Sequence, residues 1–292
     1  MSRFLEALHS GRALLMDGAL GTELQRAGLG GGACGERWNL DHPDRVRAIH
    51  QAYRDAGADC LLTNTFQSNP TALARHGLRE RLEAINEAGL KLARSVEGQP
   101  FVLGDIGPLS APGVLPDPNE LRLLVGTLLT ADAILLETWS DPVPLMAVTS
   151  ICGPLREMSG LPMLLSITYR RTESGIHSFS GHPPEWFALQ ARQVGVDALG
   201  VNCGRDLGLD EVVEIVRRYR QITDLPLFAR PNAGTPVQTS DGWTYPLTPE
   251  ALAARVPELL AAGVRMMGGC CGTTPAHIAA CRPVVDDWNG NR

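Results

Sequence analysis

Eight short apolar runs constrain this chain more than any other feature, because each closes on a polar or glycine residue and leads into a stretch with helical periodicity. The runs are ALLMDG (13–18), ADCLLTNTF (58–66), FVLGDIG (101–107), AILLET (133–138), MLLSIT (163–168), ALGVNC (198–203), PLFARPN (226–232) and RMMGGCC (265–271). Each is too short for a helix and too continuously apolar for a strand with one wet face. That is how a parallel strand covered on both sides reads. The stretches between them carry helix punctuation. Residues 42–57 follow Asp41 and stop at Gly57. Residues 70–96 are long enough for two helices. Residues 248–263 offer Thr248 as N-cap, Pro249 at the first helical position and Gly263 as the stop, and Pro257 is expected to kink or divide them. Similar patterns occupy 141–159, 184–195 and 208–221, with a short helix at 119–131 after a loop (107–118) that carries four prolines.

Eight such units over about 270 residues predict a (β/α)8 TIM barrel, for which ~250 residues is typical. An open doubly wound sheet is the alternative, but no G-x-G-x-x-G follows the first run. No linker or low-complexity stretch divides the chain, so a single domain over 1–292 is expected. Charged residues make up 20% and hydrophobic ones 44%, enough to build a substantial core. The net charge of -6 argues against nucleic acid as a partner. No apolar run reaches the ~18–20 residues that span a bilayer, and the N-terminal stretch lacks the long apolar core of a secretory signal. These readings predict a cytoplasmic protein with no membrane association.

In a barrel the C-terminal strand ends line the active site. Read in order they are Asp17, Asn64 with Thr65, Asp105, Glu137, Thr168, Cys203, Asn232, and Cys270 with Cys271. Three of the seven cysteines thus fall at the ends of the sixth and eighth runs. The others lie inside a strand (Cys60), in a glycine-rich loop (Cys34) and on helices (Cys152, Cys281). At ~4.8 Å per strand the two ends stand about 10 Å apart before side chains reach inward. Three thiolates meeting there would suit Zn²⁺ and leave one coordination position open, as in catalytic sites. The plain alternative is that Cys270 and Cys271 are small buried hydrophobes. A disulfide between neighbours needs a strained ring and is a poorer rival.

The segments DGALGTELQRAG (17–28), 42–66, GDIGP (104–108), LLET (135–138), GVNC (200–203), PNAG (231–234) and GGCCGTTPAHI (268–278) resemble the homocysteine S-methyltransferase family over nearly the whole chain. PNAG, YPLTPEAL and GGCCGTTP look more like the methionine-synthase-type branch than the betaine branch. The resemblance implies the same barrel and a reaction, transfer of a methyl group to the thiol of L-homocysteine to give methionine. It implies zinc on Cys203, Cys270 and Cys271. Glu137 matches the carboxylate that holds the homocysteine ammonium. Asp17 and Gly18 match a turn whose carboxylate meets the ammonium and whose backbone N–H groups meet the substrate carboxylate. Asn232, on the strand between the two cysteine-bearing strands, is expected to offer an amide oxygen as a weak fourth ligand in the absence of substrate; otherwise it hydrogen-bonds its own turn.

The donor stays open between an S-methylmethionine-like sulfonium and a methylcorrinoid carrier protein. Betaine is disfavoured, since Gln67 and Thr138 stand where the betaine branch carries aromatics, although Phe66 is present and Trp38, Trp139, Trp186 and Trp243 could reach the mouth. A barrel subunit that binds zinc and thiols without turnover, or that serves a separate corrinoid protein, is the alternative function.

Overall fold

The computed structural model describes residues 2–291 apart from 110–114, 116, 143–144, 147–149, 151–152, 154–158 and 240–241. All eight apolar runs are strands of one parallel sheet. In chain order the strands are β1 (Leu14–Leu15), β2 (Cys60–Leu62), β3 (Phe101–Ile106), β4 (Ala133–Trp139), β5 (Met163–Thr172), β6 (Gly175–Ser178), β7 (Ala198–Arg205), β8 (Leu227–Arg230), β9 (Val237–Thr239), β10 (Gly242–Thr244) and β11 (Val264–Met267). The sheet runs β1-β11-β8-β7-β5-β4-β3-β2. A parallel bridge between Met16 and Cys60 joins its two edges, so the sheet closes into an eight-stranded barrel. Two hairpins decorate it: β6 folds back antiparallel on β5, and β9 pairs with β10 after β8. Neither hairpin is signalled by the eight-run pattern.

The helical readings hold with refinements. Residues 70–96 form the helices Pro70–Ala74 and Leu82–Arg94 with a 3-10 turn, Arg79–Arg81, between them. Residues 248–263 divide into Pro249–Ala253 and Val256–Ala261, with Pro257 in the first turn of the second. Thr248 caps the first of them by accepting from the Ala251 N–H at 3.2 Å. The helix Pro43–Asp55 starts without a side-chain cap, because Asp41 closes the preceding turn, Trp38–Asp41. Most of 141–159, including Cys152, and part of 107–118 lie outside the described residues.

Two apolar layers result. The inner one fills the barrel with Met16, Leu62, Leu103, Leu135, Leu164, Phe228 and Met266, and Phe4 and Leu8 of the N-terminal helix Arg3–His9 belong to it. Phe4 meets Phe101, at the start of β3, edge to face at 5.4 Å, so this helix plugs the end opposite the catalytic face. The outer layer packs the strands against the surrounding helices.

Within that outer shell lies His50, fully buried, with neither ring nitrogen hydrogen-bonded among the described residues. Burial depresses its pKa to about 4. A histidine held neutral in the fold but free to protonate when unfolded contributes stability above pH 6.5. That contribution is lost as pH falls from 6.5 towards 4, by about 3 kcal/mol at the lower end. His50→Leu is therefore expected to flatten the urea-midpoint-against-pH curve between pH 7 and pH 4. A parallel shift of the whole curve would show that His50 does not set the acid sensitivity.

Candidate active site

The functional end of the barrel is shaped by two bulges. Between Leu136 and Trp139 the strand β4 advances three residues while β5 advances two. Between Val201 and Gly204 the strand β7 gains one residue on β5 in the same way. Each bulge puts a non-glycine residue in the left-handed region, Thr138 at φ 64 and Cys203 at φ 39. Such backbone costs on the order of 1–3 kcal/mol and persists only where its neighbours hold it. Here Asn202 does the holding. Its Oδ1 accepts from the Ser166 hydroxyl at 2.5 Å and the Thr138 N–H at 3.2 Å, and its Nδ2 donates to Thr138 Oγ1 at 2.7 Å. The two bulges are thus tied together, and they turn Glu137 and Cys203 toward the axis.

The third element is the GGCC segment, which continues past the end of β11. It is clamped on both sides: Gly269 N–H donates to the Asp17 carbonyl, Cys270 N–H to Pro231, and Ala233 N–H to Cys271. Thr273 Oγ1 donates to the Cys270 carbonyl at 2.7 Å and accepts from Ala19 N–H at 3.0 Å, linking this loop to the turn after β1. A Cβ on Gly268 would stand 2.6 Å from the Asp17 carbonyl oxygen, and one on Gly272, at φ +81, would enter the Tyr245 ring. The glycines are there because backbone and ring approach so closely.

These supports bring Cys203, Cys270 and Cys271 together, with all three sulfurs within 4.8 Å of one another and 4.0 Å between Cys203 and Cys271. None is in a disulfide. Close contact among the three thiols pulls the pKa of Cys203 far down and pushes those of Cys270 and Cys271 up. One of the three is thus readily a thiolate. Asn202 approaches the Cys270 sulfur at 3.9 Å, and burial together with the nearby Cys271 pushes the Tyr245 hydroxyl above its usual range. Asn232 lies beside Cys203 and lowers its pKa slightly, and its buried Oδ1 has no hydrogen-bond partner among the described residues. The expectation that its side chain serves the turn is not met; backbone bonds hold that turn. Three soft donors and one unpartnered neutral oxygen fit a thiophilic, four-coordinate metal ion.

The thiols open onto a cavity of about 430 Å³ whose wall includes Gly18, Asp105, Glu137, Thr138 and Arg230. Arg230 is absent from the residues expected above, and Asp105 stands there as a strand end without an assigned role. Arg230 is 3% exposed and anchored by two carbonyls, with Nε donating to Gly269 at 3.1 Å and Nη2 to Gly18 at 3.2 Å. Its Nη2 also lies 3.2 Å from Asp17 Oδ1, and its Nη1 lies 3.3 Å from Glu137 Oε1. Asp17 is not in the cavity wall; it stands behind Arg230, with Oδ2 accepting from Leu62 N–H at 2.8 Å. Burial raises the pKa of Asp17 and of Glu137 to about 7 despite the nearby guanidinium. Burial, and then the charge of Glu137, push Asp105 well above the usual carboxylate range. One oxygen on each of Asp17, Asp105 and Glu137 lacks a hydrogen-bond partner among the described residues.

The aromatic candidates are elsewhere. Trp139 is buried with Nε1 on the Ile106 carbonyl, Trp38 packs on His42, Trp186 stacks on His182, and Trp243 is exposed on the β9–β10 hairpin. Phe66 is the one aromatic side chain in the cavity wall among the described residues.

A closed parallel barrel with three thiols converging at its C-terminal face defines a barrel that could hold a thiophilic metal ion. Residues 14–285 match the family model for homocysteine S-methyltransferase, and the chain belongs to that family. It is 35% identical to the methionine synthase of Mycobacterium tuberculosis over 92% of its own length, and spans only 24% of that relative. It is 31% identical to the homocysteine S-methyltransferase of Escherichia coli, covering 91% of this chain and 93% of that one. The metallated crystal structure of the homocysteine methyltransferase MmuM from Escherichia coli superposes with a TM-score of 0.78 at 27% identity, covering 95% of this chain and 99% of the other.

Because the clash at Gly268 is with backbone, it cannot be relieved by a rotamer change. Gly268→Ala is expected to cost about 1–3 kcal/mol of stability and to reduce metal uptake, measured by urea denaturation and by elemental analysis. Unchanged metal content and midpoint would mean that the loop gives way freely.

Proposed function

We propose that this barrel transfers a methyl group to the thiol of L-homocysteine, forming methionine, and that zinc held by Cys203, Cys270 and Cys271 is its cofactor. The observation that carries this is a thiol cluster in one cavity wall with Glu137 and Asp105, each of which has a buried carboxyl oxygen without a hydrogen bond among the described residues. A thiol with a pKa near 8.5 is mostly protonated at neutral pH and reacts poorly. When bound, zinc supplies a Lewis acid that favours loss of the thiol proton. The chain's own residues do the rest. Glu137, with Asp105 beside it, takes the acceptor's ammonium and thereby fixes where the sulfur lies. Gly18 lines the same wall, and the Ala19 N–H beyond it already donates to Thr273. The apolar side chains of Leu20, Leu62 and Phe66 keep water from the sulfur. Asn232 offers its free amide oxygen as a weak donor beside the three sulfurs.

For the donor, a cavity wall with Phe66 as its single described aromatic residue is a poor cage for a quaternary ammonium such as betaine. An S-methylmethionine-like sulfonium or a methylcorrinoid carrier protein is the better fit. Zinc-loaded protein incubated with homocysteine and a panel of these donors should form methionine, read by mass spectrometry. No methionine with any donor would overturn the reading in favour of a thiol-binding subunit without turnover.

The protein should bind about one zinc per chain through sulfur. Cys203→Ala is expected to lose the metal, and zinc content and activity left intact would sink the ligand assignment. X-ray absorption of the substrate-free protein should count three sulfurs and one lighter donor, and that donor should change in Asn232→Ala.

Glu137→Gln should leave zinc in place and weaken homocysteine binding about 10- to 150-fold, the worth of a charge-assisted contact of about 1.5–3 kcal/mol. An unchanged dissociation constant would move the ammonium site away from Glu137.

A further inference from the structure

Among the described residues, Arg230 is the one cationic side chain in the cavity wall, and the proposed acceptor chemistry does not yet use it. Its guanidinium is fixed from behind. Two backbone carbonyls and Asp17 engage Nε and Nη2, so the group cannot swing away. The remaining nitrogen, Nη1, is buried on a residue of the cavity wall and has no hydrogen bond among the described residues, only the charge of Glu137 beside it. Its neighbour Glu137 Oε1, at 3.3 Å, is likewise without one. A donor and an acceptor that pair with each other by charge, each without a hydrogen bond and each on a residue of the same cavity wall, are complementary to a ligand that carries both signs. Arginine keeps its charge at any working pH and presents N–H groups in a planar fork that matches a carboxylate.

We propose that Arg230 is a specificity-determining residue that reads the carboxylate of the thiol acceptor, with Asp17 acting as the residue that positions Arg230 and not as a ligand of the acceptor's ammonium. This rests on the reading of the site as a homocysteine-type acceptor site and extends it. The acceptor class becomes zwitterionic amino-acid thiols bound head-on, with the ammonium on Glu137 and the carboxylate on Nη1. An aminothiol without a carboxylate would leave Nη1 desolvated and unpaired, and a site built on polar groups rejects ligands that leave them so.

Truncated ligands separate this from a merely structural role. Dissociation constants are measured on zinc-loaded wild type, Arg230→Met and Arg230→Lys for homocysteine, for 4-sulfanylbutanoate, which lacks the ammonium, and for 3-sulfanylpropan-1-amine, which lacks the carboxylate. Arg230→Met is expected to weaken the two carboxylate-bearing thiols about 10- to 100-fold and to leave the aminothiol unchanged or tighter. Arg230→Lys should recover part of the loss. An equal loss for all three ligands, a loss confined to the aminothiol, or no change overturns the proposal. If Arg230→Met does not fold, the wild-type comparison still decides. An aminothiol that binds as tightly as homocysteine means that nothing reads the carboxylate. Wild type that binds none of the three thiols overturns the acceptor reading itself, whereas wild type that binds homocysteine and a variant that binds it equally well overturn only the role of Arg230.

Discussion

Asn202 ties two strained turns of backbone into one unit, and the chemistry at the barrel mouth depends on that tie. A parallel barrel by itself alternates side chains in and out with a period of two. Under that rule neighbouring residues cannot both face the axis. The bulges in β4 and β7 break the alternation just where Glu137 and Cys203 are needed. Left alone, Thr138 and Cys203 would relax out of the left-handed region. With Ser166 and both Thr138 groups on its amide, Asn202 makes relaxation of one bulge a loss for the other. The same side chain reaches the Cys270 sulfur, so the strand-end acid and the thiol cluster share one scaffold.

Charge is the second constraint. Asp17, Asp105 and Glu137 are buried within one barrel end, and isolated carboxylates there would be strongly disfavoured. Arg230 pairs with Asp17 and Glu137, yet burial still raises both to about 7. The site is therefore under-compensated in the absence of a ligand. A cationic group entering beside Glu137 and Asp105 would favour their ionised forms and release protons to solvent. Its binding should strengthen as pH rises toward 7, since below that the acids hold the protons the ligand must displace.

The eight-run pattern carried the architecture because each run is buried on both faces, as Leu135, Leu164 and Leu199 are, and such burial leaves no ambiguity of period. The cysteines were legible for a related reason: strand ends converge in a closed barrel, so residues 67 apart in sequence can be assigned to one site. What escaped is instructive. Arg230 lies inside PLFARPN, where a charged residue near the end of an apolar run reads as the solvated edge of a strand. Its position before Pro231, with Asn232 already singled out, was the available signal. Asp105 stood among the strand ends but had no partner to give it a role, because its electrostatic coupling to Glu137 runs between side chains of β3 and β4. The bulges left no trace either. An extra residue in a strand shifts register without altering hydrophobicity, and neither Thr138 nor Cys203 is the glycine that would announce a positive φ.

Asp17 shows why a motif match and a wall of a cavity are different things. The aspartate of the DG turn was expected to touch the ammonium, and its carboxylate does lie within the same cluster as Glu137. Yet a backbone N–H from Leu62 occupies one of its oxygens and Arg230 stands against the other. A carboxylate paired in that way presents little free charge to a ligand; it presents the arginine instead. The buried pair costs desolvation that a neutral pair would not, and buried pairs are often no better for stability than apolar replacements. Fixing a guanidinium at the cavity wall is a return that stability alone does not supply. On this argument the aspartate would act through the cation it orients, and the proposed ammonium site falls to Glu137, which unlike Asp17 belongs to the cavity wall.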